Sequence, residues 1–229
     1  MVITDIQFSA AHNDWPVLRD AVLQAEADGY DTTWVFDHFD GAMLGGDRPM
    51  LECFSLLGAM AAATTTIGLG TLVANVANRH PAVLAAAAQS VQRISGGRLH
   101  LGLGAGAGPE SRFGREHRER GIQLDADVEA RHRAVVANIE TVRAATDVPI
   151  IVGVNSDALA RVAGQVADGV NVRLSSAIAP RLVRVAREAA GDRPFEVSGW
   201  CHLSDAASRE VADALAIDRL ILTRLERLD

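Results

Sequence analysis

The sequence predicts a compact, closed parallel (β/α)8 barrel in a single domain of residues 1–229. The prediction depends first on short β-rich runs that alternate with apolar helical stripes along the whole chain. The clearest unit joins a strand at Ile67–Val73 through a helix opened by Pro81 to a second strand at Leu99–Gly104. Both strands end in loops of small residues. Composition agrees, because 48% hydrophobic and 22% charged residues are ordinary for a globular protein with a sizeable core.

Each strand prediction comes from a short run of apolar or alternating residues. In order, these runs are Val2–Ser9, Thr33–Phe36, Ile67–Val73, Leu99–Gly104, Ile150–Gly153, Val170–Val172, Phe195–Gly199 and Arg219–Leu222. Seven helices are predicted from stripes at helical spacing: Leu18–Ala25, Met50–Ala62, Pro81–Ile94, Asp127–Ala145, Leu159–Val166, Ile178–Ala189 and Asp205–Leu215. Pro16 suits the first turn of the first helix, and Gly29 ends that helix.

Eight such units close naturally into a barrel, usually in about 250 residues. No residues remain after the last strand for an eighth helix of normal length, so barrel surface is exposed there and a homodimer is expected to cover it. The polar segment Pro109–Asp125 is expected to be a loop or lid. A doubly wound open sheet is the alternative fold, but the first strand is not followed by the glycine fingerprint of that fold.

Composition excludes several functions. The net charge of −7 and the absence of a basic face argue against a nucleic-acid partner. All 22 basic residues are arginine, which rules out Schiff-base chemistry on lysine. Cys53 and Cys201 have neither metal-ligand nor disulfide spacing, as in a reducing cytoplasm. The uncharged stretch 53–78 is broken by threonine, glycine and asparagine, so it predicts a buried helix and strand rather than a membrane span. The seven histidines form no metal-binding motif.

Two candidate site segments follow the second and fourth strands, where barrels place catalytic groups. His38 could hydrogen-bond a reacting oxygen or accept a proton, or it could simply anchor its loop through Asp37. Gly104, Ala105 and Gly106 allow a ligand to approach the backbone closely, although tight packing would explain them equally well.

Further candidates follow the fifth and sixth strands. Asn155 and Ser156 stand at a predicted helix N-terminus, where backbone N–H groups could accept a cofactor phosphate. Arg173 could pair with a phosphate, or it could be an ordinary surface arginine. At the start of the helix that follows the third strand, Arg79 is a better candidate than His80 for contact with a cofactor.

Several strings resemble the luciferase-like monooxygenase family in their order and spacing. They are WVFDHF (34–39), IGLGTLV (67–73), RHPAVLA (79–85), SGGRLHLGLGAG (95–106) and ADGVN (167–171). The resemblance is clear from Gly29 to about Asn171. Within the family, the RHPAVLA and GLGAG strings look most like the branch that uses the deazaflavin coenzyme F420.

The resemblance implies a TIM barrel with a flavin or deazaflavin at its C-terminal mouth and a small-molecule substrate. It implies hydride transfer with F420, with an FMN-dependent monooxygenase served by a partner reductase as the alternative. His38 matches the active-site histidine of the family. Leu72-Val73 matches the site of a non-prolyl cis peptide behind the flavin ring. Glu110 is the acid nearest to the GAG loop and a second catalytic candidate.

The sequence also departs from the family pattern. Gly41-Ala42-Met43-Leu44 stands where F420 enzymes usually have a tryptophan, and Ala107 stands where many members have an acid or a tryptophan. The long family insertion between the fourth helix and the fifth strand is shortened here, because the chain runs from Val142 to Ile150 without it. These departures keep a third possibility open, a flavin-binding homologue without catalytic activity.

Overall fold

The structure, a computed structural model, describes residues 2–46 and 48–228 and forms a closed parallel barrel. Met1, Asp47 and Asp229, which belong to the expected domain, lie outside the described residues. The strands follow one another around the barrel in chain order, and β1 also pairs with β8 from Ile3↔Arg219 to Phe8↔Arg224. This pairing confirms the predicted barrel, and the open-sheet alternative is wrong.

The strands are β1 (Ile3–Phe8), β2 (Thr32–Val35), β3 (Gly68–Asn75), β4 (Leu99–Gly104), β5 (Ile150–Gly153), β6 (Gly169–Arg173), β7 (Glu196–His202) and β8 (Arg219–Arg224). The α-helices are α1 (Trp15–Ala27), α2 (Cys53–Ala63), α3 (Pro81–Ile94), α4 (Arg115–Arg118), α5 (Val128–Ala145), α6 (Asp157–Val166), α7 (Ala179–Ala190) and α8 (Ala206–Ala214). None of the helices in the described ranges is long and apolar enough to cross a bilayer.

Several local predictions differ from the structure, and three of the differences lie between β2 and α5. Helix α2 begins at Cys53 rather than Met50, because the Glu52 carboxylate accepts the N–H groups of Phe54 and Ser55 and so caps the helix there. The expected loop Pro109–Asp125 contains a 3-10 turn and the single-turn helix α4. Strand β3 continues to Asn75 through an irregularity in its pairing with β4. After β8, the residues that the structure describes form no helix.

A buried ionic cluster lies at the N-terminal end of the barrel. Arg219 is 4% exposed and its Nη1 donates to both carboxylate oxygens of Asp5, at 3.0 and 2.8 Å. Trp34 Nε1 donates to the same carboxylate at 2.7 Å. Burial raises the pKa of Asp5 to about 6, although the charge of Arg219 opposes this. Arg219 also pairs with Asp31 and Glu196, so it ties four strands or strand-leading loops together.

The interior of the barrel alternates large and small side chains. The Trp34 indole is fully buried, and it packs on β3 at Gly70, where an added Cβ would lie 2.3 Å from the ring. A glycine at this position is therefore a packing requirement of the barrel interior.

The loop that leads into β3 is held by one carboxylate of α1. Glu26 Oε1 accepts the N–H groups of Thr65, Thr66 and Ile67 at 2.9, 2.6 and 3.0 Å. Burial raises the pKa of Glu26, but these hydrogen bonds outweigh it and lower the pKa to about 2. The loop therefore depends on an ionised Glu26.

Replacing Glu26 by glutamine is expected to lower the free energy of unfolding at pH 7 by about 1–2 kcal/mol, after allowance for solvent screening. Because the pKa is lowered on folding, this stabilisation is complete above about pH 4.5 and is lost as the pH falls toward 2. Urea unfolding of wild type and Glu26→Gln between pH 2 and 7 measures it, with Asp20→Asn on the same helix as control. A difference that stays constant with pH would contradict the assignment.

Candidate active site

A cavity of about 420 Å³ opens at the C-terminal ends of the strands. This volume lies within the usual range for small-molecule sites. The cavity brings together nine of the twelve residues predicted from sequence. They are Asp37, His38, Leu72, Val73, Gly104, Ala105, Gly106, Asn155 and Arg173.

His38 follows β2 and reaches the cavity with its imidazole about one quarter exposed. Its Nδ1 lies 2.7 Å from Oε1 of Glu116, a residue of α4 that is 1% exposed. The His38 ring stacks on Phe113, with centroids 6.3 Å apart and planes 30° apart. A second ring, that of Phe36, has its centroid 6.4 Å away, so the candidate histidine is held by one acid and two aromatic rings.

The carboxylate of Glu116 is fully engaged. Its Oε2 accepts the N–H groups of Phe39 and Asp40 at 2.8 and 3.1 Å, while Oε1 faces His38. Burial raises the pKa of Glu116, but the hydrogen bond and charge of His38 and the two N–H groups outweigh it, so the pKa is lowered. Glu116 is therefore an anion inside the protein.

Asp37 and Arg79 form a buried, bidentate ion pair behind His38. Arg79 Nη1 and Nη2 donate to the Asp37 carboxylate at 2.7 and 2.8 Å, and Nη2 also donates to Glu52. The guanidinium carbon lies 4.9 Å from the centre of the Phe54 ring. Burial lowers the pKa of Arg79, but the two carboxylates outweigh it and raise the pKa. Arg79 lies outside the cavity lining, so its contacts are with the protein.

One side of the cavity is formed by the peptide between Leu72 and Val73, which is cis, as the family resemblance implied. Gln7 Nε2 donates to the Leu72 carbonyl at 2.9 Å and so holds this peptide from β1. The Val73 side chain packs against glycines of β4 and β5: a Cβ at Gly104 or Gly153 would lie 2.5 or 2.9 Å from it. The glycines are needed because Val73 occupies the space of their side chains.

The cavity is also lined by polar groups from the loop after β5 and from the end of β6. The Arg173 guanidinium carbon lies 5.2 Å from the centre of the Trp200 ring, and its Nε donates to Ser175 at 2.8 Å. Asn155 lines the cavity next to the N-terminus of α6. Ser156 caps that helix through its hydroxyl, which accepts the Leu159 N–H at 3.3 Å.

Three predicted residues lie outside the cavity lining. Glu110 is exposed on the segment that follows β4, so it does not face the cavity from its present position. Ser156 is a helix cap and Arg79 is a partner of Asp37. Each is close in sequence to a lining residue, but its side chain is directed to the protein or to solvent.

Several cavity residues were not predicted from the sequence, including Gln7, Glu116, His117 and Asn171. Gln7 stands in β1, where inward and outward positions of a short strand could not be told apart. Glu116 and His117 lie in the charged run 115–120, which resembles a solvated loop. No periodic signal identifies a buried acid in such a run, because its burial comes from contact with the loop after β2.

Comparison with known proteins matches residues 4–226 to the sequence profile of the luciferase-like monooxygenases. The chain belongs to this family. The match covers nearly the whole chain, including every strand of the barrel but the first residue of β1.

Curated relatives of this luciferase-like protein include reductases and dehydrogenases. It is 26% identical over 233 residues to a 5,10-methylenetetrahydromethanopterin reductase of Methanolobus tindarius, covering 90% of this chain and 67% of the relative. It is 31% identical over 172 residues to an F420-dependent glucose-6-phosphate dehydrogenase of Nakamurella multipartita, covering 66% of this chain and 50% of the relative. The chain thus spans between half and two thirds of these two proteins.

Solved structures share the fold of this luciferase-like protein. An F420-dependent secondary alcohol dehydrogenase in complex with an F420-acetone adduct superposes with a TM-score of 0.78 at 16% identity, covering 98% of this chain and 94% of the other. The F420-dependent tetrahydromethanopterin reductase of Methanopyrus kandleri gives 0.70 at 18% identity, covering 88% and 66%. An EDTA monooxygenase from Chelativorans sp. BNC1 gives 0.68 at 15% identity, covering 94% and 66%.

Replacing Arg79 by leucine is expected to lower the free energy of unfolding by about 3 kcal/mol, because the buried Asp37 carboxylate loses its bidentate partner. The double variant Asp37→Asn/Arg79→Leu should regain part of this loss, since residue 37 then carries no charge and the other partner of Arg79, Glu52, is partly exposed to solvent. Urea unfolding of the wild type, the two single variants and the double variant measures the coupling. Additive effects of the two substitutions would contradict a structural ion pair.

Proposed function

We propose that this luciferase-like protein is an oxidoreductase that transfers a hydride between coenzyme F420 and a small organic substrate. One observation carries the proposal: His38 and the cis peptide Leu72–Val73 line the same cavity at the C-terminal mouth of the barrel. Relatives named for F420 support the coenzyme, and their own substrates differ from one another.

The residues of the cavity suit a flat ring with an anionic tail. The Val73 side chain packs against Gly104 and Gly153. Because neither glycine has a side chain, none projects beside the Leu72–Val73 peptide, and this peptide offers a smooth surface to a ring. Arg173 and the N–H groups at the start of α6 offer positive charge and hydrogen-bond donors for a phosphate. Asp157 in the first turn is paired with Arg181, which reduces its repulsion of an anion. The chemistry of this donor set fits the coenzyme.

When bound, the coenzyme supplies a deazaflavin ring that accepts or donates a hydride. The protein supplies orientation and a proton site. The Leu72–Val73 peptide would support the ring, and Gln7 holds the Leu72 carbonyl in place. His38 hydrogen-bonds the substrate oxygen and takes its proton as the hydride leaves, or returns it in the reverse direction. Asp37 and Arg79 hold the loop that carries His38, while Glu110 has no part in this proposal.

Titration of the purified protein with F420 and with FMN, monitored by absorbance and thermal shift, tests the coenzyme. F420 is expected to bind and to raise the melting temperature, because ligand binding to the folded state stabilises it. Binding of FMN alone, with oxygen consumption when reduced FMN is supplied, would instead support the FMN-dependent monooxygenase.

His38→Gln separates catalysis from binding in the same experiment. It is expected to leave the F420 dissociation constant within about twofold and to lower hydride transfer by at least ~100-fold, the usual contribution of a general acid or base. A substrate panel should include small secondary alcohols. F420 binding with no turnover of any substrate by the wild type would favour the non-catalytic homologue.

A homodimer is a further part of the proposal, with a second copy covering the surface beside β8, where the described residues form no helix after that strand. A groove of about 460 Å³ lies there, lined by Ile6 and Phe8 of β1, by Val17 of α1 and by Leu203.

Cys53 and Cys201 are both buried as free thiols, which agrees with the proposed cytoplasmic location.

Sedimentation velocity is expected to give twice the 24.3 kDa mass of one chain. Val17→Arg, which places a charge in the groove, should shift the protein to the monomer. Val128→Arg on α5 is the matched control, because Val128 is also exposed but lies away from the groove. A monodisperse wild-type monomer would contradict the dimer.

A further inference from the structure

We propose that Glu116 is the positioning residue for His38: it fixes the imidazole with its proton on Nδ1, so that Nε2 exchanges the proton with the substrate. This inference rests on the proposed function of His38 and deepens it. It gives the single-turn helix α4 a part in the chemistry, whereas the sequence predicts only a charged loop there.

The hydrogen bonds of the Glu116 carboxylate determine which ring nitrogen of His38 carries a hydrogen. Its Oε2 is occupied by the N–H groups of Phe39 and Asp40, and its Oε1 lies 2.7 Å from His38 Nδ1. An ionised carboxylate accepts hydrogen bonds and donates none. Nδ1 must therefore carry the hydrogen of this contact, and in the neutral imidazole Nε2 is left as the basic nitrogen.

Helix α4 contacts the loop that carries His38 through other residues as well. Arg120 Nη1 donates to the Glu116 carbonyl at 2.9 Å, and the Arg120 guanidinium lies 5.3 Å from the centre of the Phe39 ring. Arg115 pairs with Asp40 at 3.4 Å. These contacts join the two ends of the dyad independently of the Glu116 side chain.

The Glu116 charge faces His38 among several other charges, most of which are paired. On the loop after β2, Asp37 is bound to Arg79. His117 follows Glu116 on α4, and its Nε2 contacts Asn75 and Asn78. On the turn before α4, Arg112 lies over the Phe113 ring that stacks on His38. Arg115 and Arg120 face Asp40 and Phe39, as described above. Glu116 is the carboxylate in contact with the imidazole.

A purely structural role for Glu116 would be to hold α4 against the loop, and the two roles predict different results. A structural residue affects stability alone. A positioning residue also sets which ring nitrogen of His38 carries the proton. The tautomer can be read in the coenzyme-free protein, so this test does not depend on F420.

Nitrogen-15 NMR of the histidine rings in the full-length, coenzyme-free protein reads the tautomer. In the neutral imidazole of wild-type His38, the Nδ1–H form is expected to predominate. In Glu116→Gln it should give way to a mixture of both forms. The control is Glu119→Gln, which removes an exposed carboxylate from the end of the same helix and should keep the wild-type tautomer. A wild-type His38 with its proton on Nε2 would overturn the proposal.

Kinetics with F420 and a secondary alcohol give the second readout. Glu116→Gln is expected to lower the rate of hydride transfer by about 10- to 100-fold while F420 affinity stays within about twofold. Glu116→Asp should recover part of the rate by restoring the charge.

The outcomes are separable. If Glu116→Gln unfolds more easily but keeps the rate and the tautomer of the Glu119→Gln control, Glu116 is a structural residue and the inference is overturned. If F420 fails to bind the wild type while the Nδ1–H tautomer is observed and depends on Glu116, the proposed coenzyme is wrong and the positioning role stands.

Discussion

The hydrogen bonding between β1 and β8 is the constraint on which the rest of this structure depends. It runs along all six residues of β1 and closes the sheet. Closure turns the carboxyl ends of eight parallel strands into one ring, so loops far apart in sequence face the same space. Asp5 and Arg219 reinforce the seam from within, and their burial makes the pair sensitive to the loss of either partner.

Within that ring, the shape of the cavity depends on glycines, because they have no side chains. Val73 fits against β4 and β5 because Gly104 and Gly153 have no side chains at the points of contact. The cis peptide before Val73 then borders the cavity, held from β1 by Gln7. One valine, two glycines and a glutamine from four strands therefore form a surface that no single segment could provide.

Charged side chains form the part of the site around His38. The ion pair between Asp37 and Arg79 holds the loop after β2, while Glu116 contacts the imidazole of His38 on that loop. Both carboxylates are nearly inaccessible to solvent, and each has a cationic or N–H partner on every oxygen. Such fully satisfied networks are rigid, and this matters for a histidine that must present one defined nitrogen to a substrate.

The sequence by itself determined the barrel, the family and the position of His38. Period-two runs and helical stripes are local signals, and alternating parallel units have few ways to pack. It also indicated the Leu72–Val73 position, through a family string rather than through physics. Glu110 and Arg79 show the limit of that reasoning: both are near the site in sequence, yet one is exposed and the other binds Asp37.

Only the tertiary structure decided the partner of His38. Glu116 lies 78 residues from His38, in a charged run that looks solvated in one dimension. Its burial is created when α4 docks on the loop after β2, and neither segment contains a pattern that specifies the other. The tendency of a segment to form a strand or a helix is already present in its local sequence. The neighbours of a side chain across the fold depend on closure of the barrel, and its charge state and role depend on those neighbours.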